Sequence, residues 1–270
     1  MRPGTESAMT GSGRLSPGQF GFTGPVSAPN IDPPPHFYRG TELATFDFET
    51  DAAAAAALLP EELSLAHEPA RARIVFADFP FSTLGVYREA MLQLACTFEG
   101  RRVFYCPYLI VTGDIGLIAG REIWGAPKLL GSVGFEKRGP TVSCHVERAG
   151  TRIASAELRP RNLIEPGATV PPLVFLKVIP SPEAGAPPEV CELVEVDLDS
   201  TVHLGSDGTA ELFTGPAELR LERSAVDPWA ALPILRTLRG TYGRFDSVLN
   251  SGRVLHRYAD SVTQLVGPQR

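Results

Sequence analysis

Apolar and polar residues alternate along much of the chain, with the period of two that is typical of half-buried strands. The segment "ELVEVDLD" shows the alternation most clearly. β-Branched and aromatic residues, which favour strands, are concentrated in the same parts of the sequence. Six segments are therefore predicted to be strands: "ARIVFADF", "FYCPYLIVT", "TVSCHVER", "RIASAEL", "PLVFLKVI" and "CELVEVDLD".

Short turn sequences such as "KRGP", "RAGT" and "GSDG" separate these segments. Strands joined by short turns pair in an antiparallel way. Many strands with few helices predict an α+β fold, built on a large antiparallel β-sheet that is strongly curved or closed. Strands and helices do not alternate, and "GDIGLIAG" lacks the third glycine at the spacing of a dinucleotide-binding loop, so a Rossmann fold is not predicted.

Two segments carry helix signals. In "TDAAAAAALLPEEL", Thr50 or Asp51 is a candidate N-cap, the alanines favour helix, and Pro60 is expected to end it. In "GDIGLIAGREIWG", a helix is expected to begin near Asp114, which is the candidate N-cap, with its isoleucines roughly on one side. Pro127 disfavours helix at the residue before it, so a new local conformation is expected to begin there.

Residues 1–35 contain six glycines and seven prolines and end in "IDPPP". Proline and glycine in this density exclude a packed helix or a central strand. We therefore predict an N-terminal arm over residues 1–35, partly disordered or lying extended on the domain. Residues 36–270 are predicted to form a single domain.

Composition and charge exclude several classes of protein. The 270 residues, 43% of them apolar, are enough for a sizeable core. A formal net charge of −6 argues against nonspecific binding to nucleic acid. No apolar run approaches the roughly 20 residues of a membrane-spanning helix, and the first residues lack the apolar part of a secretory signal. A cytoplasmic protein with no nucleic-acid or membrane partner is expected.

The cysteines and histidines do not have the spacing of metal ligands. Cys96, Cys106, Cys144 and Cys191 form no C-x-x-C pair and lie in or beside apolar runs, so they are interpreted as buried free thiols. The five histidines form no H-x-x-x-H or H-E-x-x-H motif. Neither a metal nor a cofactor is predicted.

Lys128, in "GREIWGAPKLLG", is the strongest candidate for chemistry. The chain has 22 arginines and only three lysines, and this one follows a proline among small and apolar residues. Desolvation of an amine favours its neutral form, which can attack a ketone to form an imine. A surface cation at a helix end is the alternative. Lys177, within "PLVFLKVIP", is a second candidate by the same reasoning, whereas Lys137 lies in a turn.

The segment "GREIWGAPKLLG" resembles the active-site segment of the acetoacetate decarboxylase family, in which a Gly-Arg-Glu run leads into a Pro-Lys pair. The similarity extends over roughly residues 36–260. It includes the segments "TDAAAAAALLPEEL", "LGVYREA", "VFLKVIP", "CELVEV", "TGPAELRL" and "SGRVLHRY", in the order and at the spacing of the family.

The resemblance implies that Lys128 forms a Schiff base with a small oxo acid and that Glu89 is its acid/base or orienting partner. Arg39 is the nearest candidate for a family arginine, one or two residues out of register. Tyr258 matches a tyrosine that lines the pocket in some relatives, and Trp124 occupies a position that varies with substrate. The alternatives are a surface pair of Glu89 with Arg88, and core positions for the two aromatic residues.

Two departures separate this chain from true acetoacetate decarboxylases. Leu129 replaces the second lysine of the family, so burial has to favour the neutral amine, and Leu129 is expected to assist that burial. A second acidic residue is missing from "ARARIVF". A divergent lyase is therefore predicted, acting through an enamine by decarboxylation of a β-keto acid or by aldol and dehydration chemistry. The alternative is a catalytically silent ligand-binding member. The family is oligomeric, so a homo-oligomer is expected.

Overall fold

The computed structural model describes residues 13–167, 170–258 and 262. The described residues divide into two units between Pro33 and Pro34. The first contains a short 3-10 helix, Pro17–Gln19, which begins after Ser16. How much of the arm predicted over residues 1–35 is ordered stays a prediction, because residues 1–12 lie outside the described ranges.

The second unit is dominated by β-structure. Its strands, in chain order, are β1 (His36–Thr50), β2 (Leu63–Leu65), β3 (Ala70–Phe79), β4 (Phe81–Ser82), β5 (Tyr87–Phe98), β6 (Arg101–Val111), β7 (Lys128–Leu130), β8 (Ser132–Arg138), β9 (Thr141–Arg148), β10 (Thr151–Leu158), β11 (Asn162–Leu163), β12 (Leu173–Ile179), β13 (Val190–Val202), β14 (Leu212–Gly215), β15 (Ala217–Leu221) and β16 (Arg236–Arg257). Two α-helices, α1 (Ala52–Ala56) and α2 (Asp114–Ala119), a π-helix, Gly120–Trp124, and a 3-10 helix, Pro228–Ala231, complete this unit.

Seven strands form a closed ring of hydrogen-bonded neighbours. Their order is β16-β13-β12-β6-β5-β3-β1, and β1 pairs with β16 to close the ring. The very long β16 makes this closure possible, because it pairs with β1 along one edge and with β14 and then β13 along the other. The predicted strongly curved or closed sheet is confirmed, and its closed form is the one observed.

A second sheet, in the order β15-β10-β9-β8, packs on the outside of the ring. Its Phe135 and Ile153 belong to the same buried apolar cluster as Phe46, Phe76 and Leu92 of the ring strands. Successive side chains of a strand point to opposite faces. The residues that alternate with this cluster therefore face the inside of the ring.

The six predicted strands are confirmed as β3, β6, β9, β10, β12 and β13. The expectation of antiparallel pairing holds for most pairs, but β6 pairs in parallel with β12 and with β7. A crossover through α2 and the π-helix brings β7 back beside β6. Within the described residues, no helix is long and apolar enough to cross a membrane.

The first predicted helix is α1. The side chain of Asp51 accepts a hydrogen bond from the backbone N–H of Ala54 at 2.8 Å, so Asp51 is the N-cap. The helix ends at Ala56, several residues before Pro60, and residues 57–59 form a turn. Pro60 therefore does not itself end the helix.

The second predicted helix differs from expectation in its cap and in its buried face. Gly113 is the N-cap, and Asp114 is the first helical residue. The buried residues of α2 are Gly116 and Ala119, not the isoleucines. Small residues face inward here because the segment lies directly against Tyr87: a Cβ built on Gly116 would come within 3.1 Å of that ring.

Candidate active site

Strand β5 carries Glu89 on the inner face of the ring. Its neighbours Ala90 and Leu92 belong to the outer apolar core, so Glu89 and Gln93 point the other way. Glu89 is only 5% exposed. A buried carboxylate requires a partner, because desolvation of an unpaired charge is costly.

A sharp change of direction after the π-helix positions Lys128. Gly125 ends the π-helix with a left-handed backbone, at a φ of 75° that glycine adopts without strain. Pro127 follows, and Lys128 opens β7 beside Leu109 of β6. Lys128 is 7% exposed, and its side chain points to the inner face. The predicted change of conformation around Pro127 is confirmed.

Lys128 and Glu89 form a buried ion pair. The Lys128 amine donates a hydrogen bond to Glu89 Oε1 and a second, of 2.9 Å, to the carbonyl oxygen of Gly116. The ring of Tyr87 lies 5.6 Å from Nζ. The structure thus brings together the lysine and the glutamate that the sequence singled out, and the pair lies away from bulk water.

Gly120 provides space for the lysine. A Cβ built on Gly120 would lie 2.5 Å from Cε and 2.7 Å from Cδ of Lys128. Any larger side chain at this position therefore has to displace the lysine or the π-helix. The glycine of the Gly-Arg-Glu motif is therefore needed because it leaves room for the Lys128 side chain.

Two tyrosines that the sequence reasoning missed line the same site. Tyr87 lies two residues before Glu89 on β5, and its hydroxyl shares a 2.9 Å hydrogen bond with the hydroxyl of Tyr38. Burial raises the pKa of both phenols, and the Glu89 carboxylate raises them further. Both tyrosines are therefore neutral hydrogen-bonding groups at physiological pH. The i, i+2 spacing in "YRE" was a usable signal, since it places Tyr87 and Glu89 on one face.

All four cysteines are buried free thiols, as predicted. Cys106 is the one nearest the ion pair: burial raises its pKa, Glu89 raises it further, and Lys128 opposes the shift. Burial also raises the pKa of Cys96 to about 12. A thiol that stays protonated is a poor nucleophile, so the cysteines are packing residues.

The expectation that Leu129 buries Lys128 is wrong. Leu129 is 40% exposed, whereas the preceding Lys128 is buried. The two lie next to each other in strand β7, and neighbouring side chains of a strand point to opposite faces. Burial of the amine comes instead from Glu89, Tyr87 and the glycines of the α2 segment.

Lys177, the second candidate, supports the same segment from a strand that pairs with β6. It lies on β12, and its Nζ donates a 3.1 Å hydrogen bond to the carbonyl oxygen of Ile123. A Cβ built on Gly125 would lie 2.2 Å from Cβ of Lys177. Lys177 therefore holds the end of the π-helix in place, and in the part of the chain that the structure describes its amine forms no ion pair.

Arg39 lies on β1 next to Tyr38, but its side chain has other partners. Its guanidinium donates to the carbonyl oxygen of Tyr38 at 2.8 Å and lies 3.8 Å from Asp246. About half of the side chain is exposed. It contacts neither Lys128 nor Glu89 directly.

The two aromatic candidates are bound to the walls of the ring. Trp124 is buried, and its indole N–H donates a 3.1 Å hydrogen bond to the carbonyl oxygen of Asn250 on β16. The Tyr258 hydroxyl donates to Glu62, and its ring packs edge-on against His256. Trp124 is thus linked to Lys128 through the π-helix, while Tyr258 packs against the outer apolar core.

No group of three or more histidine, cysteine or acidic side chains is placed to hold a metal ion in the described ranges. The groups gathered at the site are an amine, a carboxylate and two neutral phenols. The site is thus a closed β-ring with a buried lysine–glutamate pair on its inner face.

The comparison with known proteins gives the family. Residues 22–259 match the family model described as acetoacetate decarboxylase (ADC). The chain is 30% identical over 247 residues to Decarboxylase DEC1 of Cochliobolus heterostrophus, an alignment that covers 87% of this chain and 94% of that protein. It is also 30% identical over 247 residues to an acetoacetate decarboxylase of Chromobacterium violaceum, with 89% and 96% covered. The chain belongs to the acetoacetate decarboxylase family.

Solved structures share the fold. One structure of acetoacetate decarboxylase superposes with a TM-score of 0.79 at 24% identity, covering 88% of this chain and 96% of the other. The enduracididine biosynthesis enzyme MppR, complexed with the condensation product of pyruvate and imidazole 4-carboxaldehyde, superposes with a TM-score of 0.70 at 23% identity, covering 84% and 92%. These likenesses establish the architecture.

Proposed function

We propose that this protein is a lyase that forms a Schiff base between Lys128 and a small oxo acid. The observation that carries the proposal is the buried pair of Lys128 and Glu89, which are 7% and 5% exposed. An imine-forming lysine must lose a proton before it attacks, and Glu89 is the adjacent group that takes it. Membership in the acetoacetate decarboxylase family supports the same chemistry.

The first steps use only these two side chains. The neutral amine attacks the ketone carbon of the substrate and forms a carbinolamine. Glu89 returns the proton to the carbinolamine oxygen, which leaves as water, and a protonated imine remains. Tyr87 and Tyr38 stay neutral and hydrogen-bonded to each other, so they keep the surroundings of the amine dry without competing for its proton.

The imine then accepts an electron pair from the neighbouring carbon. In a β-keto acid, the bond to the carboxylate breaks, CO2 leaves, and an enamine forms. In a 2-oxo acid such as pyruvate, loss of a proton from the adjacent carbon gives an enamine that attacks an aldehyde, after which water can be expelled. The two relatives described above are decarboxylases by name, whereas MppR binds a pyruvate condensation product. Decarboxylation is the first reaction to test.

The remaining candidates shape the site. We assign Trp124 to the pocket wall, because it holds the π-helix that leads to Lys128 against β16. Arg39 borders Tyr38, and through Tyr38 and Tyr87 it lies at the edge of the site. Tyr258, whose hydroxyl is bonded to Glu62, is retained as a candidate pocket residue.

The test is to trap the imine. The protein is incubated with acetoacetate or pyruvate, reduced with borohydride, digested and mapped by mass spectrometry. An adduct on Lys128 that is lost in Lys128→Ala is expected. Lys177→Arg is the matched control, because it removes the other inward-facing amine but keeps a donor for the Ile123 carbonyl, and its adduct on Lys128 should persist.

Three outcomes would change the assignment. An adduct on Lys177 would keep the chemistry but refute the site. No adduct with a broad set of oxo acids would refute the Schiff base and favour a silent ligand-binding member of the family. An adduct without release of CO2 would favour aldol and dehydration chemistry, which a screen of pyruvate with aldehydes would then test.

We further propose that the protein is cytoplasmic and forms a homo-oligomer. Leu129 and Leu130, both on β7, are 40% and 53% exposed, and side chains of this kind are often covered by a second subunit. Light scattering coupled to gel filtration would give the mass in solution. A monomer at micromolar concentration would refute the oligomer.

A further inference from the structure

A cavity of about 400 Å³ is lined by four arginines, one histidine and one carboxylate, namely Arg71, Arg73, Arg102, Arg239, His67 and Asp47. Neither Lys128 nor Glu89 lines it. Arg73 is paired across strands with Gln93, whereas Ala77, four residues further along β3, is paired with Glu89. Four residues of a strand span about 13 Å. The cavity is therefore separated from the imine site by about that distance.

One carboxylate holds two of the arginines. Asp47 is the cross-strand partner of both Arg73 and Arg239. Its Oδ1 lies 3.1 Å from Nε of Arg73, and its Oδ2 lies 3.4 Å from a terminal nitrogen of Arg239. The Arg73 guanidinium also lies over the ring of Phe104, 3.7 Å from its centroid. Arg73 is thus fixed in orientation before any ligand arrives.

The other two arginines are not held in this way, although Glu49, which forms an ion pair with Arg236, is the cross-strand partner of Arg71. In the part of the chain that the structure describes, the side chains of Arg71 and Arg102 form no ion pair and donate no hydrogen bond. Four guanidinium groups against one carboxylate leave a formal charge of about +3 in a chain whose net charge is −6. Burial lowers the pKa of His67, and the charges of Arg71 and Arg102 lower it further. The cavity is strongly positive on a protein that is acidic overall.

We propose that this cavity binds a small polyanion, a molecule with two or three negative charges carried by phosphate or carboxylate oxygens, at a site separate from Lys128. The planar fork of a guanidinium matches both kinds of oxyanion, and several forks around one cavity favour a ligand with more than one anionic group. Binding would also relieve the mutual repulsion of the four cations. The proposal does not depend on the imine chemistry.

The test measures anion binding by calorimetry and by thermal unfolding. The probes are inorganic phosphate and tricarballylate, each compared with sodium chloride at the same ionic strength. Both the affinity and the rise in the melting temperature are expected to depend on the cavity arginines. A response to phosphate alone identifies a phosphate ligand, and a response to tricarballylate alone identifies a polycarboxylate.

The decisive variant is Arg71→Ala/Arg102→Ala, since both side chains are exposed and, within the described ranges, neither forms an ion pair or donates a hydrogen bond. Its affinity for the probe is expected to fall at least about tenfold, because charge-assisted hydrogen bonds are lost. Arg138→Ala/Arg220→Ala is the matched control. It removes the same charge from two highly exposed arginines, 80% and 76% accessible, that do not line the cavity. Arg102→Ala alone replaces the double variant if that variant does not fold.

If the affinity for the probe falls equally in the two double variants, the loss reflects the overall charge of the protein and the proposed site is refuted. If neither phosphate nor tricarballylate binds, the proposed site is refuted as well. Lys128→Ala is expected to bind the probe like the parent protein. If Lys128→Ala loses the anion, the cavity is not a separate site and the proposal is wrong.

Discussion

Lys128 donates a hydrogen bond to Glu89 across 39 positions of sequence, inside a ring of strands that excludes most water from both groups. The two residues meet because their strands lie on either side of β6. Strand β5, which carries Glu89, pairs with one edge of β6, and β7, which carries Lys128, pairs with the other. Neither charge is stable there alone, so each is retained at this depth by the other.

Replacing Glu89 with Gln keeps the size of the side chain but removes the base. Turnover is expected to slow by about 10²- to 10⁴-fold, the usual share of general acid–base catalysis. Glu195→Gln is the control, because Glu195 is also buried but pairs with Arg101 and Arg253 instead of a lysine. Steady-state kinetics of CO2 release, measured for both variants, would test whether Glu89 acts as the base. Turnover of Glu89→Gln within threefold of the parent protein would mean that Glu89 is structural.

Gly120→Ala is expected to abolish imine trapping on Lys128 while the protein stays folded. The added methyl would lie 2.5 Å from Cε of Lys128, so the amine has to leave its position beside Glu89. The measurement is borohydride trapping together with circular dichroism. Gly18→Ala is the control, since a Cβ at Gly18 meets no atom within 4 Å. Normal trapping by Gly120→Ala would show that the lysine needs no such space.

Trp124→Phe is expected to change the ranking of substrates while imine formation survives. The variant loses the indole N–H that bonds to the Asn250 carbonyl, so the wall of the pocket shifts and Lys128 stays. Comparison of kcat/KM over a panel of oxo acids measures the effect. Trp229→Phe, in the other buried tryptophan of the chain, is the control. Loss of imine in a folded Trp124→Phe protein would contradict this division of roles.

All six tyrosines have a raised pKa, and burial is the largest cause for each. A group whose pKa is higher in the folded state contributes stability below its unfolded pKa, which is about 10 for tyrosine, and that stability is lost as the pH rises. The free energy of unfolding should therefore decrease above about pH 10. Urea unfolding at pH 8, 9.5 and 10.5 would measure it, with phenolate absorbance as a second readout.

For this prediction the informative variant is Tyr38→Phe/Tyr87→Phe. Removal of both hydroxyls deletes a hydrogen-bonded pair without leaving one member unsatisfied. The alkaline loss of stability should become smaller in this variant. Phenolate absorbance that rises near pH 10 in the folded parent protein would show that the tyrosines are accessible to solvent.

Much of the sheet was predictable because its strands alternate and carry β-branched residues. Strand β16 did not stand out, since its sequence "RTLRGTYGRFDSVLNSGRVLHR" is rich in arginine and glycine and much of it is only half-buried. Its pairing with β1 depends on residues about 200 positions away. The local pattern of apolar and polar residues carries no information about such a distant partner. The sequence therefore could not decide between a strongly curved sheet and a closed ring.

The site was predictable where one strand or one motif contains it. Glu89 and Lys128 were both found, and Tyr87 could have been found from its spacing to Glu89. The close approach of Gly120 to Lys128 could not be predicted from the sequence, because it depends on how α2 packs. The arginine cavity could not either, since Arg71, Arg102 and Arg239 lie on three strands that only closure of the ring brings together.

The pairing of β1 with β16 also determines how the chain must fold. Glu42 and Tyr242, which touch across this seam, are 200 residues apart, so the ring closes only after a very large loop has been ordered. Proteins dominated by such distant contacts fold slowly. Strands β5 and β6, by contrast, form a local hairpin that presents Glu89 early. We therefore expect the hairpin that carries Glu89 to form before the ring around it closes, and its free strand edges need protection from aggregation until β16 pairs.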